Sequence, residues 1–284
     1  MKTSELKKYR EKSATWPTFV RTWDEIPTAS SSLVVDRKLA KSLEPLANYR
    51  RLKHLFVHGL RAQDVEHLSA CQSLKALLIW RLDSINLRWL SPVSSLESLG
   101  VYHAPKLKSL DGLGSIHSLR HIFFHHIPLV RSLEPLRDLT NLEEIVIEQS
   151  WATNKPLSFH SLEPLGKLDR LACLDLRGVE VLDGSLKPIA SRPAIRWLFP
   201  CSYSYDIHKL AFLAAKLNHR LAREDRIYPV IKPKPDDSSP RCKKCGTQLN
   251  QLVGKVGAKY RLHACPKCDK DLIAERIAIF KSYS

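Results

Sequence analysis

Four cysteines near the C-terminus carry the most specific chemistry in the sequence. Cys242-Lys-Lys-Cys245 and Cys265-Pro-Lys-Cys268 are two C-x-x-C pairs with 19 residues between them. A C-x-x-C turn brings two thiolates onto one ion, and two such turns complete a tetrahedral shell of four sulfurs. That donor set is expected to hold a structural Zn2+, since a closed shell leaves no position for a reacting water. A thiol redox pair and an iron–sulfur cluster are the rival readings of the same spacing. His263, two residues before Cys265, is either an outer group of this site or an ordinary surface histidine.

The elements around the cysteines must position them. Gly246 follows the first knuckle, where a tight turn is needed. Leu249 to Leu262 suits a hairpin, with Gly254 and Gly257 near its tip. The arrangement resembles a zinc ribbon and defines a candidate domain over 241–284. So small a unit gains the stability its core lacks from the metal. Behind it, Leu272, Ile273, Ile277 and Phe280 fall at helical spacing, a tail helix that packs on the ribbon or docks it elsewhere. Ahead of it, residues 229–240 hold four prolines and two aspartates and read as an extended linker. A helix is expected from Tyr205 to Asp225, with Ile207, Leu210, Ala211, Ala214, Leu217 and Leu221 on one stripe. It would cap the preceding unit over 201–228.

That preceding unit, 30–200, is a repeat. Leu52-Lys-His-Leu55-Phe-Val57, Leu74-Lys-Ala-Leu77-Leu-Ile79 and Leu96-Glu-Ser-Leu99-Gly-Val101 share the template L-x-x-L-x-L with aliphatic substitutions. The template recurs at Leu119, Leu142, Leu171 and, degenerately, Ile195, with steps from Leu52 of 22, 22, 23, 23, 29 and 24 residues. A degenerate first copy has Leu33 and Val35 on its strand and Leu43 and Leu46 on its return. Ser-Leu-Glu-Pro-Leu appears at Ser42, Ser132 and Ser161, with variants at Ser109 and Ser185. Proline makes this half a turn or short 3₁₀ segment. An apolar template at such a period predicts an α/β repeat fold, a solenoid with a curved parallel sheet and short convex turns.

The repeats resemble bacterial leucine-rich-repeat proteins of the short-repeat, internalin-like type. The resemblance covers about Leu33 to Pro200 and implies the fold. One departure is plain: where that family places an asparagine ladder, this sequence has Leu60, Leu82, Ala104, Ile127, Ser150 and Val179. The 29-residue step holds an insertion near Trp151-Ala-Thr-Asn-Lys-Pro156, expected as an edge loop. Residues 1–29, with Trp16, Phe19 and Trp23 among charges and a short helix from Ser4, are expected to cap the open N-terminal end.

Strand alternation sends the leucines inward and the residues between them to the concave face. That face would carry Phe56, His58, Trp80, Tyr102, Phe123, His125, Glu148 and Arg177 in ladders, with Arg81 and His103 beside them. Aromatics and arginine exposed on a curved sheet are the composition of binding hot spots, and cross-strand packing is the bland alternative.

The formal net charge of +16 favours an anionic partner. No apolar run reaches the length of a membrane span, and the charged N-terminus lacks the core of a secretory signal. Scattered cysteines plus one cluster suit a reducing cytosol. No phosphate-binding loop, nucleophile elbow or zinc-hydrolase motif is present. Cys173-Leu-Asp175 has the C-x-D form of some leucine-rich-repeat ubiquitin ligases but falls inside a repeat strand. The sequence therefore predicts a non-enzymatic cytoplasmic scaffold that binds another protein. An immunity or inhibitor protein acting on a toxin or effector is the concrete version. The alternative is a nucleic-acid-associated factor using the basic ribbon; residues 203–284 carry 17 Lys/Arg against 8 Asp/Glu.

Overall fold

The computed structural model describes residues 19–20, 23–38, 40–149, 156–200, 204–233, 239–256 and 262–283. The expected helix from Ser4, Trp16, the inserted residues 151–155, Cys201 and Gly257 lie outside them.

Nine strands form one parallel sheet. They are β1 (Phe19–Val20), β2 (Ser32–Asp36), β3 (His54–Arg61), β4 (Ala76–Asp83), β5 (Ser98–Tyr102), β6 (His121–His125), β7 (Glu144–Glu148), β9 (Cys173–Asp175) and β11 (Trp197–Phe199). From β2 on the register is one repeat per strand: Leu33, Leu55, Leu77, Leu99, Ile122, Ile145, Leu174 and Leu198 lie side by side. Strands β8 (Leu157–Phe159) and β10 (Val179–Val181) make a second parallel pair after the 29-residue step.

The template leucines are fully buried in one continuous core that runs from Ile26 to Val253. Each fully buried leucine contributes roughly 2 kcal/mol of hydrophobic stabilisation. The Ser-Leu-Glu-Pro-Leu returns are 3₁₀ turns, at Glu44–Asn48, Glu134–Leu136 and Glu163–Lys167. Their serines explain the conserved spelling within the chain. Ser42, Ser132 and Ser161 each accept a bond on Oγ from the amide two residues on, at 3.0–3.1 Å. Proline then needs no amide partner at the start of the turn.

The missing asparagine ladder has a backbone replacement. Gly59, Arg81, His103, His126 and Gly178 occupy equivalent places at the strand ends, and all have φ between 59° and 85°. This left-handed step turns the following residue inward, so Leu60, Leu82, Ala104, Ile127 and Val179 are buried. Amides are satisfied by the carbonyl of the next repeat: His103 N to His125 O at 2.8 Å, Ala104 N to His126 O at 3.1 Å, and His126 N to Glu148 O at 3.0 Å. Three of these five positions are not glycine and hold a conformation that costs about 1 kcal/mol or more each.

Trp23 closes the N-terminal end, its ring 5.7 Å from Tyr49 and its Nε1 donating to Ser42 O. At the other end the capping helix is shorter than the apolar stripe suggests. After the single turn α1 (Lys187–Ala190), α2 spans Ile207–Leu217 and is N-capped by Asp206, which accepts from the His208 amide at 2.8 Å. It stops because Asn218 clamps the returning chain, donating to Ile227 O and accepting from Ile227 N, both at 2.9 Å. Leu221 is buried outside the helix. Among the described residues no helix is long and apolar enough to cross a membrane.

Candidate functional site

The ribbon is a three-stranded antiparallel sheet. The expected hairpin forms from β13 (Asn250–Leu252) and β14 (His263–Ala264), and β12 (Val230–Ile231), from the proline-rich segment, adds a third strand. The tail helix α3 spans Lys270–Lys281.

Each C-x-x-C pair is a closed turn. Gly246 N donates to Cys242 O at 2.9 Å, and Gly246 itself has φ of 69°. In the second, Asp269 N donates to Cys265 O at 2.9 Å and the Asp269 carboxylate accepts from Cys265 N at 2.7 Å. The turns face each other across the sheet end. Cys245 Sγ lies 3.5 Å from Cys265 Sγ and 3.6 Å from Cys268 Sγ, and Cys242 lies 3.9 Å from Cys268. All four sulfurs are within 4.8 Å of one another. Four sulfurs at about 2.3 Å from one ion would stand about 3.8 Å apart, so the spacing fits a tetrahedral metal site. The electrostatics point the same way. The Thr247 hydroxyl and amide stabilise the Cys245 thiolate and lower its pKa to about 6, while the crowding sulfurs of Cys245 and Cys265 push Cys268 up to about 12. Without a cation these thiols resist ionising together; a dication removes the conflict. Sequence reasoning missed Thr247 and Asp269. Their signal was position, each within two residues of a cysteine. His263 lies on β14 opposite Gln251.

The ribbon is docked on the solenoid's cap rather than tethered beside it. Lys255 N donates to Tyr205 O at 2.8 Å and Ile207 N to Lys255 O at 2.9 Å. Gly254, with φ of 84°, lies so close to Ile207 that a β-carbon would meet its Cα at 2.7 Å. The tail helix docks as well, and only part of the stripe read from spacing takes part: Leu272, Ile273 and Phe280 are half-buried. Ile277 is exposed, and the residue that buries is Arg276, at 1% exposure. Its guanidinium donates to Val253 O at 2.7 Å and Gly254 O at 2.9 Å. A charged donor makes a strong bond to a buried carbonyl, and arginine supplies one guanidinium to both. Phe280 and Val253 pack on the main core.

On the concave face the ladders form in the expected register: Asp36, His58, Trp80, Tyr102, His125 and Glu148. Their exposure corrects the sequence reading. Tyr102 and Phe123 are each only 2% exposed, because they stack on one another at 4.5 Å between Leu78 and Val146. Gly100 stands between Leu78 and Phe123 in their ladder and adds no side chain, which opens the space they fill. These two rings are therefore a second core on the sheet surface. Trp80 stacks over its edge, 5.3 Å from Tyr102, and stays half-buried with Phe56, His58 and His125. Glu148 and Arg177 have partners within the chain. Arg177 pairs with both Glu148 and Asp175, and its guanidinium lies 5.5 Å over the Phe199 ring. Burial raises the pKa of Asp175, with Arg177 opposing. Arg81 and His103 are exposed, and His103 stacks flat on His126 at 4.9 Å. Burial, then the neighbouring His126, lowers the His103 pKa. His58 and His125 do not join a metal-binding group among the described residues, where only the cysteine cluster qualifies.

The register of one repeat per strand, with the leucines stacked beneath it, decides the architecture. The fold is a leucine-rich-repeat solenoid. No protein-family model and no curated protein matches the chain. Solved structures do. An internalin (inlF) from Listeria monocytogenes is 17% identical with a TM-score of 0.48, over 66% of this chain and 53% of that one. An internalin C2 (inlC2) of the same species is 18% identical with a TM-score of 0.40, over 58% and 68%. A leucine-rich-repeat protein of Leptospira interrogans is 11% identical with a TM-score of 0.34, over 68% and 59%. The chain thus spans little more than half the length of the first of these.

Proposed function

We propose that this solenoid is a non-enzymatic scaffold that grips another protein on its concave face, and that its ribbon carries a structural Zn2+. The observation that carries the reading is the half-buried Trp80, seated on the Tyr102–Phe123 stack and flanked by Phe56, His58 and His125. A rigid aromatic anchor over a dry support, rimmed by polar groups, is the make-up of a hot spot. The net charge of +16 selects a partner with an acidic surface. The concrete version is an inhibitor that neutralises a toxin or effector inside the cell, since a curved surface can block an active site without chemistry of its own. The ribbon's part is to seal and stiffen the C-terminal end.

Affinity capture from the native host tests this. The wild-type chain is expected to recover a stoichiometric protein, and Trp80→Ala to lose it. Recovery of RNA alone, or the same protein on both baits, contradicts the reading.

A further inference from the structure

A second surface adjoins the concave ladders at His58, where β3 and β4 turn toward the convex side. A cleft of about 400 Å³ opens there, lined by Lys38, Arg61, Arg81, His103 and Lys106 over the buried Leu60 and Leu82. Two cations near it are already neutralised. Arg37 is buried and bonded through Nε and Nη2 to Asp64, at 3.0 and 2.7 Å. Lys106 pairs with Asp83 at 2.9 Å. That leaves Lys38, Arg61 and Arg81, all exposed, with no carboxylate in ion-pair range among the described residues. The fold also holds one of them there against preference. Arg81 has φ of 63°, in the column where Gly59 and Gly178 take the same conformation freely. Arginine there costs stability that glycine would not, as His103 and His126 do in the same column.

We propose that this cleft binds a phosphate-type oxyanion carrying two or more negative charges. A lone carboxylate would offset one of three unpaired cations. A phosphoryl group or diphosphate offsets more, and its oxygens match the two guanidinium forks. The volume suits a small phosphorylated ligand or a phosphorylated side chain. The inference goes beyond the concave-face reading: the cleft shares His58 with that face, but its test turns on Arg61 and Arg81 and not on Trp80.

Calorimetric titration of the full, metal-loaded chain with inorganic pyrophosphate at low ionic strength is the test, beside a phosphoserine peptide and its unphosphorylated form. Saturable binding is expected, weakened about tenfold or more for each guanidinium removed by Arg61→Ala or Arg81→Gly. Arg81→Gly keeps the left-handed backbone, so its melting temperature is expected to hold or rise, which separates lost binding from lost folding. Lys243→Ala with Lys244→Ala, in the ribbon, should leave binding intact. Tighter binding of pyrophosphate identifies a free ligand, and tighter binding of the phosphopeptide identifies a group presented by a partner. No saturable binding of either probe overturns the proposal. So does affinity unchanged in the Arg61→Ala/Arg81→Gly double variant, since that would reflect net charge alone.

Discussion

At the scale of single residues, the concave face is less a row of displayed side chains than a small core with a few emerging edges. Spacing told which residues face that side, because strand alternation is strict. It could not tell that Tyr102 and Phe123 cover one another, since that depends on the absent side chain of Gly100 and on ring geometry. The left-handed column was hidden for a similar reason: only Gly59 and Gly178 advertise it, while Arg81, His103 and His126 do not. Relieving that strain makes a prediction: Arg81→Gly should stabilise the chain by about 1 kcal/mol in denaturant unfolding, with Arg81→Ala showing no such gain. Titration makes another. Burial lowers the pKa values of His54 and His121 below the ordinary 6.5, and their Nδ1 atoms sit 3.1 and 3.2 Å from Ser32 and Ser98 hydroxyls. A histidine whose folded pKa is depressed takes up its proton more readily when unfolded. Stability is thus full above about pH 6.5 and falls as pH drops below it. Unfolding measured at pH 7 and pH 5 should show the loss, and His121→Gln should flatten it.

At the scale of elements, the repeat period and the serine–proline returns were fully legible, because each is a local rule spelled out many times. The docking of the ribbon was not. It rests on contacts between segments far apart in sequence, Gly254 on Ile207 and Lys255 on Tyr205, while Arg276 ties the tail helix to the Val253 and Gly254 carbonyls within the ribbon. Arg276 reads as a solvated helix charge until those carbonyls are seen. Arg276→Ala is expected to cost about 3 kcal/mol, since it strands two buried acceptors. Hydrogen exchange should then show faster exchange in α2 and β13 and an unchanged β3–β6. A similar test inside the solenoid is Gly112→Ala. With φ of 105° and a would-be β-carbon 2.3 Å from Leu87 O, Gly112 tolerates no side chain, and the substitution should cost about 3 kcal/mol in chemical denaturation.

At the scale of the whole molecule, one core runs from the N-terminal tryptophan through the repeats to the tail helix, so the ribbon and solenoid stabilise each other. Metal analysis should find about one zinc per chain, and chelation should lower the melting temperature of the solenoid as well as loosen the ribbon. The central claim, that the concave face binds the partner and the ribbon does not, is tested most directly by affinity. The captured partner should bind Trp80→Ala at least about 2 kcal/mol more weakly than wild type, yet bind Lys243→Ala/Lys244→Ala as wild type does. Equal affinity for Trp80→Ala, with the loss appearing in the ribbon variant, would contradict it.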